Sequence, residues 1–497
     1  TRDWFWEIQE TIRKVASHTG AKLIDLHTPL HRRPDLFDDS LHPNEEGAGI
    51  IARTVYSAIT GDFGGFSMPA IFSEHMVVQQ GGPVVWYGKS NRGDTLDIFF
   101  NQQYRRIITS DTGQWLAEFP PVRAGGPYSL VIRVNGIQVV DWKDILCGEV
   151  WICSGQSNMA FELKNAKGGI PRAERAGDPE LRLFNLKDFI KTNDVAFDLL
   201  SLERINRLDF FEGDWQKDIP DQASGFSAIG YFFGSELREK LGVPVGLIQV
   251  AVGGAPIEAF IDRRTLEMDP VLVDQFLNRE KNDFIFDWVR GRITRNISLN
   301  NQKSQRHPYD PAYIFEAGIV QMTQFPVRGV IWYQGESNAH NAGLYKIAFH
   351  EWVDSWRRSW NNPKMPVLVA QLSGIDRPSW PRFREIQRQL VNEIPNTGLV
   401  VTFDKGDSLD VHPIQKQEVG ERFALQALDK VYQKKVISDG PVARRIIRKE
   451  NSTEIEFDAP GGLKTSDGAG VREIEAASED GIFREVPARI EGKKLII

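Results

Sequence analysis

Five short, mostly apolar runs, at 149–153, 245–250, 329–332, 367–370 and 399–403, are separated by long, partly helical stretches. Runs of that kind suit strands buried on both faces, and connections of that length suit parallel crossovers. Between the first two runs, Phe226, Ile229, Phe233, Leu237 and Leu241 fall on one helical face. The spacing therefore predicts an open, parallel α/β sheet over 147–432. In such a sheet ligands bind beyond the carboxyl ends of the strands, so the residues that directly follow each run carry the functional information.

Those residues share a chemistry. Ser154-Gly155-Gln156-Ser157-Asn158-Met159 follows the first run, Val252-Gly253-Gly254 the second, and Gln334-Gly335-Glu336-Ser337-Asn338 the third. Gln371-Leu372-Ser373 follows the fourth, and the fifth leads through Asp404 to Asp410-Val411-His412-Pro413. Small, hydroxylic, amide and acid/base residues thus converge on one rim.

Ser157, entering a helix just past a buried strand, presents either an exposed hydroxyl or an ordinary helix N-cap. As a nucleophile it needs a base within hydrogen-bond reach, and His412 is the histidine that the last strand delivers to the same rim. Alone, a histidine there would be a surface or packed core residue. Asp410 either orients the imidazole or shapes a turn. Gly253 and Gly254 are either a plain turn or a source of N–H groups aimed into the cleft. With the N–H of Ser157 and a side-chain amide from Gln334 or Asn338, they would form an oxyanion hole. Gln156, Glu336 and Asn338 are candidates for contacting substrate. Arg384, near Gln387 on a predicted helix, faces either a substrate carboxylate or solvent.

The flanks differ in texture. Residues 1–60 predict a helix over 4–17, a strand over 21–26 and a helix after Pro43. From Met68 to Trp142, short β-branched and aromatic runs with turn signals every 8–12 residues predict a β-sandwich. A β texture returns near Lys435 and continues to Ile497. The expected divisions are 1–62, 63–146, 147–432 and 433–497. A chain of 497 residues exceeds one core. Its mixed charges and net charge of −7 argue against nucleic acid as main partner, and no apolar run is long enough to span a bilayer. Cys147 and Cys153 are too few for a disulfide framework or a zinc set and are expected as buried thiols.

At these motifs the sequence resembles the sialate O-acetylesterase family within the SGNH (GDSL-like) hydrolases. The matching words are 148–159, 226–232, 245–248, 332–339 and 410–413, with 72–79 and 124–128 in the β region. The resemblance covers about Met68 to the C-terminus. It implies a flavodoxin-like, three-layer αβα hydrolase domain flanked by all-β, sandwich or jelly-roll-like regions. It also implies a serine esterase that removes acetyl groups from an acetylated carbohydrate, without metal or organic cofactor, in a periplasmic or secreted setting. The nucleophile would be Ser157, the base His412, and the oxyanion donors Ser157, Gly254 and Gln334. The substrate would be an acetylated sialic acid, xylan or pectin; an inactive carbohydrate-binding protein on the same fold is the alternative of another class.

Three departures from the family pattern stand out. The superfamily writes its last block D-x-x-H, whereas Asp410 is two residues before His412, so either Asp410 or a backbone carbonyl would orient the ring. The C-terminal β region reads as incomplete. Finally, Asp39-Ser40-Leu41-His42-Pro43-Asn44 looks like the closing segment of a second SGNH hydrolase upstream. Asp39 and His42 would then be orphaned, or their segment would dock on the main site and modulate it.

Overall fold

The computed structural model describes every residue except Thr1, Ser40, Asn301, Lys303 and Pro460, and of Arg2, Asp3 and Trp4 the backbone only. Residues 1–427 and 428–497 form two compact units.

The larger unit is built on a mixed sheet whose strands are β1 (Ile137–Gly155), β2 (Leu181–Asn185), β3 (Trp215–Lys217), β4 (Val245–Ala251), β5 (Gly329–Tyr333), β6 (Val367–Ala370) and β7 (Thr397–Val400). Their order is β3-β2-β4-β1-β5-β6-β7. Every neighbouring pair is parallel except β3 against β2. All five expected runs are strands, and β2 and β3 extend the sheet beyond β4. The last strand, Thr397–Val400, contains only the first two residues of the 399–403 expected; its ladder ends where β6 ends, and a 3-10 turn begins at Phe403. After β1 the chain places β4 on one side of it and β5 on the other. That reversal opens a crevice at the carboxyl end of β1, and residue 157 lies there.

β1 has two halves. Over 137–144 burial is partial, and this half pairs antiparallel with the strand Gly125–Val134 of the β region. From Ile145 to Gly155 every residue is buried, as a central strand covered on both faces must be. The β region has a further antiparallel pair, Val84–Lys89 with Gln114–Phe119, and an interior of Trp86, Phe100 and Phe119. Helix Ala228–Leu241, N-capped by the Ser227 hydroxyl, packs on β4 and on helix Gln417–Gln426.

At the N-terminus, helices Arg2–Thr19 and Glu45–Thr60 form as expected, the second capped by Asn44. The expected strand over 21–26 does not: those residues have no regular structure, since an apolar run without a neighbouring strand leaves its N–H and C=O groups unpaired. This segment lies against the rest of the larger unit through Trp6 Nε1, which donates to Glu267, and the Arg32 carbonyl, which accepts from Arg306. Both cysteines are buried free thiols. Among the described residues no helix is long and apolar enough to cross a membrane. In the smaller unit, strands Val442–Arg448, Thr453–Asp458, Arg489–Glu491 and Lys494–Ile496 make a four-stranded antiparallel sheet.

Candidate active site

At the end of β1 the chain must turn sharply while staying bonded to β5. The Gln156 N–H donates to the Tyr333 carbonyl at 3.0 Å. Gly155, at φ +139°, permits this approach, since a Cβ there would lie 2.1 Å from the Tyr333 carbonyl oxygen. The next residue, Ser157, opens the short helix Ser157–Ala160. It occupies the first helical position, and its hydroxyl makes no capping bond; Gln156 is the N-cap residue. The N-cap alternative for Ser157 is thereby ruled out.

The Ser157 hydroxyl instead meets His412 Nε2 at 2.8 Å, across 255 residues of sequence. Burial is the largest influence on His412, followed by the nearby Lys416 ammonium; together they hold the imidazole below its ordinary pKa of 6.5 against the pull of Asp410. A neutral imidazole in hydrogen-bond reach of a serine hydroxyl is the arrangement that general-base activation requires.

Asp410 sits differently from a carboxylate bonded to the ring. Its Oδ1 accepts from the His412 backbone N–H at 2.8 Å, closing a turn, and lies 4.0 Å from Nδ1. That separation exceeds a hydrogen bond.

Ser157, His412, Gly253, Gly254, Gln156 and Glu336 line one cavity of about 560 Å³. The Gly253 carbonyl accepts from the hydroxyls of both Tyr309 and Thr192, and the Gly254 carbonyl accepts from Ser337 Oγ at 2.9 Å. Because a peptide is planar and trans, fixing the Gly253 carbonyl also fixes the direction of the Gly254 N–H. Gly254 has φ +77°, and a Cβ on it would fall 2.3 Å from the Tyr309 hydroxyl.

Two expected residues do not reach the cavity wall. Gln334 is fully buried, and its Nε2 donates to Asn338 Oδ1 at 2.7 Å and the Ala255 carbonyl at 3.3 Å. With both amide hydrogens used, it is not placed as an oxyanion donor. Asn338 is likewise committed: its Oδ1 accepts from Ile257 N–H and its Nδ2 donates to Glu258. Both residues therefore brace the loop after β5 from behind. Gln156 lines the cavity but spends its Oε1 on the N–H groups of Gly335 and Ser337, tying the loops after β1 and β5 together. Arg384 stacks over Phe403 and is not on the wall. His42 and Asp39 bond each other at 2.6 Å on the exposed surface; Ser40, between them, is outside the described residues.

Several wall residues carried no signal in the sequence. Trp288, Tyr309 and Arg292 come from the segment between β4 and β5, Lys191 and Thr192 from that between β2 and β3, and Arg377 from beyond β6. Behind the wall, Lys416 and Asn158 are buried and bonded to each other.

Comparison with known proteins agrees with this chemistry. Residues 296–429 match the family model described as carbohydrate esterase, sialic acid-specific acetylesterase. The chain is 25% identical to human sialate O-acetylesterase over 425 residues, covering 77% of this chain and 74% of that protein. It is 26% identical to the mouse protein of the same name over 455 residues, covering 80% and 79%. Among solved structures, a carbohydrate acetylesterase from Xanthomonas citri superposes with a TM-score of 0.69 at 28% identity, over 86% of this chain and 90% of that one. In sequence and in fold the chain is thus similar to the sialate O-acetylesterases and to carbohydrate acetylesterases.

Proposed function

We propose that this protein is a carbohydrate O-acetylesterase in which Ser157 is the nucleophile and His412 its general base. The single observation that carries the assignment is the 2.8 Å bond between Ser157 Oγ and His412 Nε2 inside a cavity of about 560 Å³. His412 Nε2 takes the hydroxyl proton as Oγ attacks the acetyl carbonyl. The oxygen that becomes negative is met by the N–H groups of Ser157 and Gly254. The sugar alkoxide leaves with the proton from His412. Water, deprotonated by the same imidazole, then attacks the acetyl-enzyme and releases acetate. Asp410 supports the imidazole through the turn and through its charge.

The β4-β1-β5-β6-β7 order, with Ser157 at the reversal, supports a flavodoxin-like SGNH hydrolase domain over 147–432, with a β-sandwich over 63–146 and a C-terminal β region over 433–497. Residues 1–62 are read as the closing segment of a second SGNH unit. The names of the mammalian relatives direct the first substrate choice to O-acetylated sialic acid, with acetylated xylan and pectin as comparators. The test is acetate release from p-nitrophenyl acetate and this glycan panel by the parent protein and Ser157→Ala. Release by the parent and its loss in the variant are expected; release that survives Ser157→Ala would overturn the assignment.

A further inference from the structure

The serine and the histidine sit on loops far apart in sequence, and the carboxylate at 4.0 Å does not tie the imidazole down. One side chain spans the gap. Asn158, directly after Ser157, donates from Nδ2 to the Val411 carbonyl at 2.9 Å, the residue directly before His412. The same Nδ2 donates to Glu336 Oε1 at 2.6 Å. Its Oδ1 accepts from Lys416 Nζ. All three side chains are nearly inaccessible: Asn158 is 0%, Lys416 1% and Glu336 5% exposed.

The Lys416 bond decides how the amide stands. An ammonium only donates, so it selects the oxygen end of Asn158 and turns Nδ2 toward Val411 and Glu336. Two ionisable groups are thereby buried with one amide between them, an arrangement that costs desolvation and that packing alone would not require. Around Lys416 stand the Glu336 and Asp410 carboxylates and the rings of Phe161 and Tyr333; Arg377 faces Glu336 from the loop beyond β6.

We propose that Asn158 and Lys416 are positioning residues for the Ser157–His412 pair, with the buried ammonium orienting the Asn158 amide that clamps the His412 loop onto the nucleophile's own turn. The proposal rests on the serine-esterase assignment above. The ammonium has a second effect. Its charge lies close enough to depress the His412 pKa, keeping the base neutral, while burial brings Lys416 itself down to about 7.

The test is Lys416→Met in the full chain, with Asn158→Ala and Ser157→Ala alongside, assayed on p-nitrophenyl acetate. A misplacement of the base by about 1 Å costs on the order of 10² in rate. Lys416→Met is therefore expected to lower kcat by about 10- to 100-fold with KM within about threefold. Its acid limb of kcat/KM should move to higher pH, because a depressing positive charge is gone. A Lys416→Met/Asn158→Ala double variant should lose no more than the worse single one, as expected of two groups acting through one device. A folded Lys416→Met enzyme with parental kcat and an unmoved acid limb would overturn the clamp. Should Lys416→Met not fold, Asn158→Ala decides: parental kcat overturns the proposal, and a kcat loss at held KM supports it. Turnover surviving in Ser157→Ala strikes the esterase assignment instead, whereas loss there with Lys416→Met intact strikes the clamp alone.

Discussion

Replacing Asp410 tests how this site differs from a tightly bonded Ser-His-Asp triad. Asp410→Asn keeps the side-chain oxygen that accepts the His412 N–H at 2.8 Å, so the turn survives and only the charge is lost. At 4.0 Å from Nδ1, a unit charge stabilises the imidazolium by about 4 kcal/mol at an effective dielectric of about 20, and by about 1 kcal/mol in water. The Asp410 side chain is 62% exposed and that of His412 40%, which places the pair near the aqueous limit. About 1 kcal/mol corresponds to about fivefold in kcat. Asp410→Ala also removes the turn bond, adding about 1 kcal/mol and bringing the loss to about 30-fold. A carboxylate bonded directly to the ring would instead be worth about 10⁴. Steady-state kcat on p-nitrophenyl acetate, with melting temperatures to confirm folding, distinguishes these cases. Because Asp410 raises the His412 pKa, the acid limb of Asp410→Asn should also move slightly to lower pH. A loss of 10³ or more in a folded Asp410→Asn enzyme would refute the argument and return Asp410 to a ring-bonded role.

Three further outcomes are expected. Gly254→Ala forces a side chain into a left-handed position, at about 1–2 kcal/mol, and drives its Cβ against Tyr309 and Trp288; kcat should fall about 10²–10³-fold, as for a lost oxyanion donor, and a value within threefold of the parent would remove Gly254 from the oxyanion hole. In the parent, kcat/KM should decline as pH falls through a pKa below 6.5, because the base works only when neutral and its folded-state pKa is depressed by burial and Lys416; an acid limb at or above 6.5 in a pH–rate profile would contradict this. Burial raises the thiol pKa of Cys153, and pushes that of Cys147, beside Glu149, up to about 11; a colorimetric disulfide reagent at about pH 8 should titrate neither thiol in the native protein and both in guanidinium chloride, and fast native labelling would show that the β1 core opens.

Which strands were legible follows from what surrounds them. The five central runs stand out because a strand covered on both faces must be apolar along most of its length. β2 and β3 escaped notice for the complementary reason. Arg182 interrupts the apolar run of β2; it is buried, and its guanidinium is bonded to Asp144 at 3.0 Å. β3 is a three-residue edge strand held by Trp215, whose indole N–H donates to the Ile71 carbonyl. Residues 21–26 show the opposite error: the composition suits a strand, but nothing in the sequence reports that no partner lies beside it. Strand formation depends on distant neighbours, and local composition records only half of the pair.

The same asymmetry governs the site. Position after a parallel strand identifies the rim, which is why Ser157, His412 and Gly254 could be named together, but it does not give the direction in which a side chain leaves the loop. Gln334 follows β5 at least as closely as Ser157 follows β1, yet it and Asn338 turn inward and bond Ala255, Ile257 and Glu258. The residues that pair with the nucleophile's turn are equally silent in sequence: Lys416 and Asn158 are 258 positions apart, and a single buried hydrogen bond leaves no periodicity. What could have marked them is chemistry. A lysine three residues beyond His412-Pro413, at the mouth of an amphipathic helix, is costly to bury without a partner, so its burial there implies an acceptor waiting at the end of another strand.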